Sequence, residues 1–366
     1  MIVLNVKLDG IYGFSNFSLN LTYPKKIVNS FIENEHLEGR ERFRYKRAIV
    51  LMGTNATGKT SLGRSLLKIF TYIGNGNADL LTEMVSGNQG SFEIDFVNQG
   101  YTMHRIKAEI DSSTHEIALS YASTEIEKMD SYEHCAERLS SPALYTTPSQ
   151  AELKRIVGPM VYRFAYPEIE ASLKLNGTNK QTLLKTLRAV IGTLDPTLKE
   201  VTLSKDLKDT FIIRRKDAEI IIQEGKLLNR QMLSSGTEEG IDVAIFLASM
   251  LDQQDGFFYC DEHFSYIQTD IEKRIFGIML DRIGMNGQLI FTTHNTDMLD
   301  LNLPKHSYVF LRKKIEDDEY RVTAISASEL LKRNTDSIRC AVENDVFGSL
   351  PDDSLLDELE TGWVDE

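Results

Sequence analysis

The sequence has no run of about eighteen consecutive apolar residues, which excludes a membrane-spanning helix. Its opening stretch, Met1-Ile2-Val3-Leu4-Asn5-Val6-Lys7, alternates like a strand and lacks the basic-then-apolar layout of a secretory leader. Cysteine is scarce: Cys135, Cys260 and Cys340 lie far apart without metal-ligand spacing. They fit a reduced, cytoplasmic setting, each as a small buried apolar side chain. Positive charge is also in short supply, 41 Lys and Arg against 54 Asp and Glu for a net charge of −13, which argues against general nucleic-acid binding. The local exception is Lys25, Lys26, Arg40, Arg42, Arg44, Lys46 and Arg47. The last residues, 352–366, are strongly acidic and read as a solvated end. No internal repeat is visible.

What is present is 366 residues at 42% hydrophobic, enough for one large or two modest domains. Residues 1–23 read as two short strands around a glycine turn, and 24–47 as irregular and basic. Two alternating runs, 90–97 and 101–110, joined by Asn98-Gln99-Gly100, signal a hairpin, with 117–121 as the next strand of an antiparallel sheet. The character then turns helical: 151–157 and 182–191 carry apolar residues three and four apart. Strand patterns return at 201–203, 210–213 and 219–222. The expected organisation is an N-terminal lobe at 1–123, a helical insertion at 124–200, a second lobe at 201–330 and a closing segment at 331–366.

The chain is organised around Gly53-Thr54-Asn55-Ala56-Thr57-Gly58-Lys59-Thr60, followed by Ser61. An apolar run at 47–52 precedes it and a helical pattern at 61–70 follows, the strand–loop–helix context of the G-x-x-x-x-G-K-[ST] phosphate loop. Small residues let backbone N–H groups close on an anionic phosphate chain, and the helix start adds its positive end. Lys59 is expected to reach the outer phosphates and Thr60 to hold Mg²⁺.

Three later segments add to this. Gly256-Phe257-Phe258-Tyr259-Cys260-Asp261-Glu262 is an apolar strand ending in two acids, the first suited to Mg²⁺ and the second to orienting a water, although a solvated strand end looks the same. The strand at 288–293 ends in His294, a candidate contact for the γ-phosphate or a plain turn residue. Leu233-Ser234-Ser235-Gly236-Thr237 precedes a helix, either as a second anion-binding start or as an ordinary cap by Ser235 or Thr237.

Taken in this order, the motifs resemble an ABC-type ATPase head of the structural-maintenance-of-chromosomes, RecF and OLD-like branch. The match runs over nearly the whole core, 2–311. The closing residues 331–339 and Phe347-Gly348-Ser349-Leu350-Pro351 are similar to ATPases of bacterial abortive-infection modules such as PARIS-type or Septu-type systems. The resemblance implies an α/β fold with a mixed core sheet, an antiparallel β subdomain and an inserted helical subdomain. It further implies ATP and Mg²⁺ as cofactors, held by residues 53–61 with Thr60 and Asp261 on the metal. Lys59, Glu262 and His294 are the implied catalytic groups. Ser234, Ser235 and Gly236 of a second copy would close the site in an ATP-dependent homodimer or higher homo-oligomer. The implied role is a nucleotide-switched sensor and scaffold in anti-phage defence, controlling a separate effector such as a nuclease or toxin. The alternative is a RecF-like repair ATPase that binds DNA through residues 40–47. The sequence departs from the branch after the acid pair, where it reads His263-Phe264-Ser265-Tyr266, and in having only Gln89 and Gln99 as candidates for a magnesium-sensing glutamine.

Overall fold

β1 (Ile2–Asp9) and β2 (Phe17–Asn20) pair antiparallel across a tight turn, and β3 (His36–Leu37) and β4 (Arg40–Arg44) form a small hairpin within the stretch expected to be irregular. β5 (Ala48–Met52) leads through the glycine loop into α1 (Lys59–Asn75) and the short α2 (Asp79–Thr82). Gly76, at φ 75°, ends α1 by donating its N–H to Tyr72 O. β6 (Gln89–Val97), β7 (Thr102–Asp111) and β8 (Glu116–Glu125) follow as a meander, and with β1 and β2 they build a five-stranded antiparallel sheet in the order β2-β1-β6-β7-β8. These features belong to a computed structural model that describes residues 1–27, 30–166, 178–216, 219–223, 226–316, 319–333, 335–351 and 356.

The segment expected to be a helical insertion carries α3 (Tyr132–Arg138), α4 (Gln150–Val157) and α5 (Lys180–Leu194), but also β9 (Tyr162–Ala165). β9 pairs parallel with a later strand and forms an edge of the core sheet, so residues 124–200 are not helical throughout. α4 starts on a capping box, the Ser149 hydroxyl and the Glu152 carboxylate each satisfying a backbone N–H of the other. β10 (Leu198–Leu203), β11 (Thr210–Arg215), β12 (Glu219–Gln223) and β13 (Lys226–Leu228) form a second, four-stranded antiparallel sheet.

α6 (Ser235–Asp252), β14 (Phe257–Asp261), α7 (Thr269–Arg282), β15 (Gln288–Thr292), β16 (Tyr308–Glu316) and β17 (Glu319–Ser326) complete the core, with α8 (Ala327–Leu330) and α9 (Ile338–Glu343) closing it. The core sheet runs β17-β16-β5-β15-β14-β9, parallel except for β17. Every residue of β5, β14 and β15 is buried, as expected of parallel strands covered on both faces. The pleat divides them: Ile49, Leu51, Phe257, Tyr259 and Ile290 pack towards α1 and the antiparallel sheet. Val50, Met52, Phe258, Cys260, Leu289 and Phe291 pack on the opposite face with α5, α6 and α7. The fold is therefore α/β with a mixed core sheet and an antiparallel β subdomain. Phe347 is fully buried, its ring stacked 4.0 Å from that of Phe310, which pins the closing segment to β16. The acidic residues beyond it lie outside the described residues; of 352–366 only Leu356 is described. Cys135 and Cys260 are buried as expected; Cys340, on the outer side of α9, is exposed. No helix among the described residues is long and apolar enough to cross a membrane.

Candidate nucleotide-binding site

The carboxyl edge of the core sheet gathers the sequence motifs. β5 delivers the glycine loop, β14 delivers Asp261 and Glu262, and β15, lying between them, delivers Thr292 and then His294. In open α/β sheets this edge is where ligands bind. A cleft of about 440 Å³ lies there, lined by residues 55–61, Glu262, Tyr12, Gly13, Phe14, Lys313, Tyr320 and Val322. Its size falls within the range of small-molecule sites.

The loop's shape requires its glycines. Gly53 has φ +156°, and a Cβ there would lie 2.5 Å from Leu311 O and 2.7 Å from the Thr57 hydroxyl. Gly58, at φ +96°, would drive a Cβ into the Phe14 ring at 2.8 Å. α1 begins at Lys59 with its first turn clamped to β14: the Tyr259 hydroxyl donates to Lys59 O at 2.6 Å.

The Lys59 ammonium is 3% exposed and folds back over the loop, donating to Gly53 O (2.8 Å) and Thr54 O (3.1 Å) and pairing with Glu262 Oε1 at 3.2 Å. That same oxygen lies 2.8 Å from His294 Nε2, so one carboxylate bridges lysine and histidine. Burial pulls the Lys59 pKa down, and the Glu262 and Asp261 charges offset this only in part. Glu262 behaves oppositely to an ordinary buried acid. Burial pushes it up, but the His294 hydrogen bond and the Lys59 charge outweigh that and hold it below the usual carboxylate range. The pair is unequal because the carboxylate is 28% exposed and keeps some solvation, whereas the ammonium does not. Glu262 also sits at φ 45°, a left-handed backbone uncommon for glutamate.

Asp261 is fully buried. Its Oδ1 accepts from the Thr292 hydroxyl at 2.7 Å, while Oδ2 has no hydrogen-bond partner. Burial raises its pKa, and the nearby Thr60 and Thr292 hydroxyls counter the rise without reversing it. A buried carboxylate oxygen left open next to a threonine hydroxyl fits one oxygen ligand of a hard divalent cation. Among the described residues no three His, Cys, Asp or Glu side chains cluster to hold a metal by themselves.

Lys59, Thr60, Asp261, Glu262 and His294 are thus brought together. Ser234, Ser235 and Gly236 are not among the residues lining the cleft. Ser234, rather than Ser235 or Thr237, caps α6, its hydroxyl accepting from Thr237 N at 3.2 Å. Gln89 and Gln99 also lie away from the cleft; Gln99 donates to Pro159 O.

Several contributors were not singled out in the sequence. Thr292 accepts from Glu262 N at 2.9 Å as well as donating to Asp261. Glu239, on α6, accepts from Ser265 N (3.0 Å) and Tyr266 N (2.8 Å), the loop that follows Glu262. Glu272 accepts from Thr293 and Asn295 beside His294. The basic stretch has a different destination from the one its composition suggests. Arg40 donates to Ile126 O and covers the Tyr101 ring, Arg44 donates to Pro24 O, and Lys46 to Asn20 O. Arg47 donates to Ile283 O, Gly284 O and Glu33 O.

Neither a family model nor a curated protein matches the sequence. Solved structures do. An Smc head bound to the C-terminal winged-helix domain of ScpA superposes at a TM-score of 0.54 with 11% identity, covering 90% of this chain and 100% of that one. The Smc head domain with an extended coiled coil from Pyrococcus furiosus, bound to the C-terminal domain of ScpA, gives 0.50 with 11% identity over 90% and 98%. The chain has the fold of an Smc head domain. The recombination mediator RecF with ATP superposes more loosely, at 0.45 with 10% identity over 88% and 97%, too loosely to carry an argument.

Proposed function

We propose that this protein is an ATP-hydrolysing ATPase of ABC type, acting as a nucleotide-switched sensor and scaffold in an anti-phage defence module and controlling a separate effector protein. The observation that carries the ATPase reading is the Lys59–Glu262–His294 chain standing beside the half-satisfied Asp261 at the mouth of the glycine loop. The defence reading rests on the likeness of the closing residues to abortive-infection ATPases, and the Smc heads bound to ScpA offer a precedent for a separate partner chain.

A triphosphate entering the cleft competes with Glu262 for the Lys59 ammonium. The exchange frees the carboxylate, which keeps its hydrogen bond to His294, to accept a hydrogen bond from an attacking water. His294 stays within reach of both the acid and the outer phosphate. Thr60 and Asp261 would hold Mg²⁺, which would neutralise part of the outer phosphate charge. Ser234, Ser235 and Gly236 of a second copy close the site, bringing the N-terminus of α6 to the γ-phosphate. The DNA-binding alternative loses Lys46 and Arg47, which are buried and donate to backbone carbonyls, while Arg42 stays exposed.

Purified protein tests the reading. Lys59→Ala should lose ATP binding, whereas Glu262→Gln should bind ATP yet turn it over about 10²–10⁴-fold more slowly. Wild-type rates in both variants would sink it. Co-purification with the products of neighbouring genes, with and without Mg·ATP, tests the effector.

A further inference from the structure

Across the core sheet the glycine loop has two different neighbours. On one side, past β15, stand Asp261 and Glu262; on the other, β16 runs beside β5 and continues beyond it into the β16–β17 hairpin. Phe310 pairs with Met52, the last residue of β5, so Lys313 stands about 10 Å farther along at about 3.3 Å per residue. The hairpin therefore projects past the carboxyl edge and walls the cleft with Lys313, Tyr320 and Val322. The acids mark the end of the site where terminal phosphates go. The hairpin lies on the loop's other flank, where the nucleoside end must lie.

Tyr320 is 59% exposed, and the Lys313 ammonium stands 4.3 Å from its ring centroid. Val322 beside it is buried. Tyr12, the other tyrosine of the cleft, is half-buried against the core, with Lys68 5.6 Å from its ring centroid, so it offers less open ring face than Tyr320. An exposed cross-strand cation–π pair contributes only about 0.5–1 kcal/mol, so stability alone is a weak reason for a large ring at the mouth of a polar cleft.

We infer that Tyr320 is the stacking platform for the base of the bound nucleotide, with Lys313 displaced from the ring face towards the ribose and inner phosphate. This rests on the nucleotide-binding reading above and adds to it a base-contacting residue supplied by the closing hairpin.

The test is calorimetric titration of the full chain with Mg·ATP and with Mg·tripolyphosphate, which carries phosphates without a base. Base–aromatic stacking is worth about 1–3 kcal/mol. Tyr320→Ala should therefore weaken ATP binding by about 5- to 150-fold and leave tripolyphosphate binding unchanged, while Tyr320→Phe should stay within about threefold of wild type. Unchanged ATP affinity in Tyr320→Ala overturns the platform, as does equal loss of both ligands or an equal loss in Tyr320→Phe. Lys59→Ala separates the two readings. If it binds both ligands like wild type, the phosphate loop itself is refuted; if it abolishes both while Tyr320→Ala changes neither, only the platform falls.

Discussion

Replacing Thr292 with valine keeps the shape of the side chain and removes one hydroxyl, and that hydroxyl serves both acids at once. It donates to Asp261 Oδ1 at 2.7 Å and accepts from Glu262 N at 2.9 Å. Oδ2 of Asp261 has no partner, so the variant leaves a fully buried carboxylate short of one of the two hydroxyls that support it, with only Thr60 remaining. A hydrogen bond to a charged group is worth about 1.5–3 kcal/mol. The Glu262 amide is less exposed to loss, because it retains Thr292 O at 3.3 Å, so its share is about 0.5–1 kcal/mol. The sum is about 2–4 kcal/mol of stability, measured as the shift in urea midpoint multiplied by the common slope. Thr292→Ser keeps the hydroxyl and loses one methyl, and should cost about 1 kcal/mol. If valine and serine destabilise equally, the hydroxyl is not what holds the two acids, and its bonds to them contribute nothing to the site.

Other outcomes follow from the same geometry. Asp261→Asn should stabilise the protein at neutral pH without added Mg²⁺. The folded-state pKa of Asp261 is raised, so the stability its proton confers is present below the unfolded value of 3.8 and lost as pH rises through the folded value; the asparagine's advantage should thus shrink on acidification in thermal melts at pH 4 and pH 8. An unchanged difference between those melts would refute it. Ser235→Arg should leave a folded monomer with normal ATP binding but block turnover, since α6 starts away from its own cleft; an unaltered rate would rule out a site shared between two copies. Phe347→Ala should cost about 3–5 kcal/mol, as expected for a large buried ring, and a loss below 1 kcal/mol would show that the closing segment is not anchored on Phe310.

The parts legible in the sequence were those written in local pattern. A short apolar run, a glycine loop and a helical repeat identified β5, the loop and α1, because each depends on neighbours within a few residues. The β6–β7 hairpin was legible for the same reason. β9 was not: Tyr162-Arg163-Phe164-Ala165 has no strand period of its own and is a strand because β14 offers it a hydrogen-bonded edge. The partners of Thr292 and Glu239 were not legible because they lie 26 to 31 residues away, nor was that of Tyr259, 200 residues away. For the basic stretch, composition recorded the charges correctly but carried no information about where each guanidinium would donate. The N-cap of α6 was missed by one residue, since Ser234 and Ser235 are chemically equal candidates until the backbone turns at Ser234.

The Glu239 carboxylate has one last consequence. It stands one turn into the helix that begins at the serine–glycine segment, and it grips the amides of Ser265 and Tyr266 just beyond β14. Gly236 meets the same place from the other side, where a Cβ would sit 2.9 Å from Tyr266 O. Helix start and loop are thus geared together like two teeth of one ratchet. Whatever displaces the chain after Glu262 must either carry the head of α6 along or strip a buried acid of both its donors. A shift of that chain would therefore be felt at the start of α6, where Ser234 is exposed, through both Glu239 and the Gly236–Tyr266 approach.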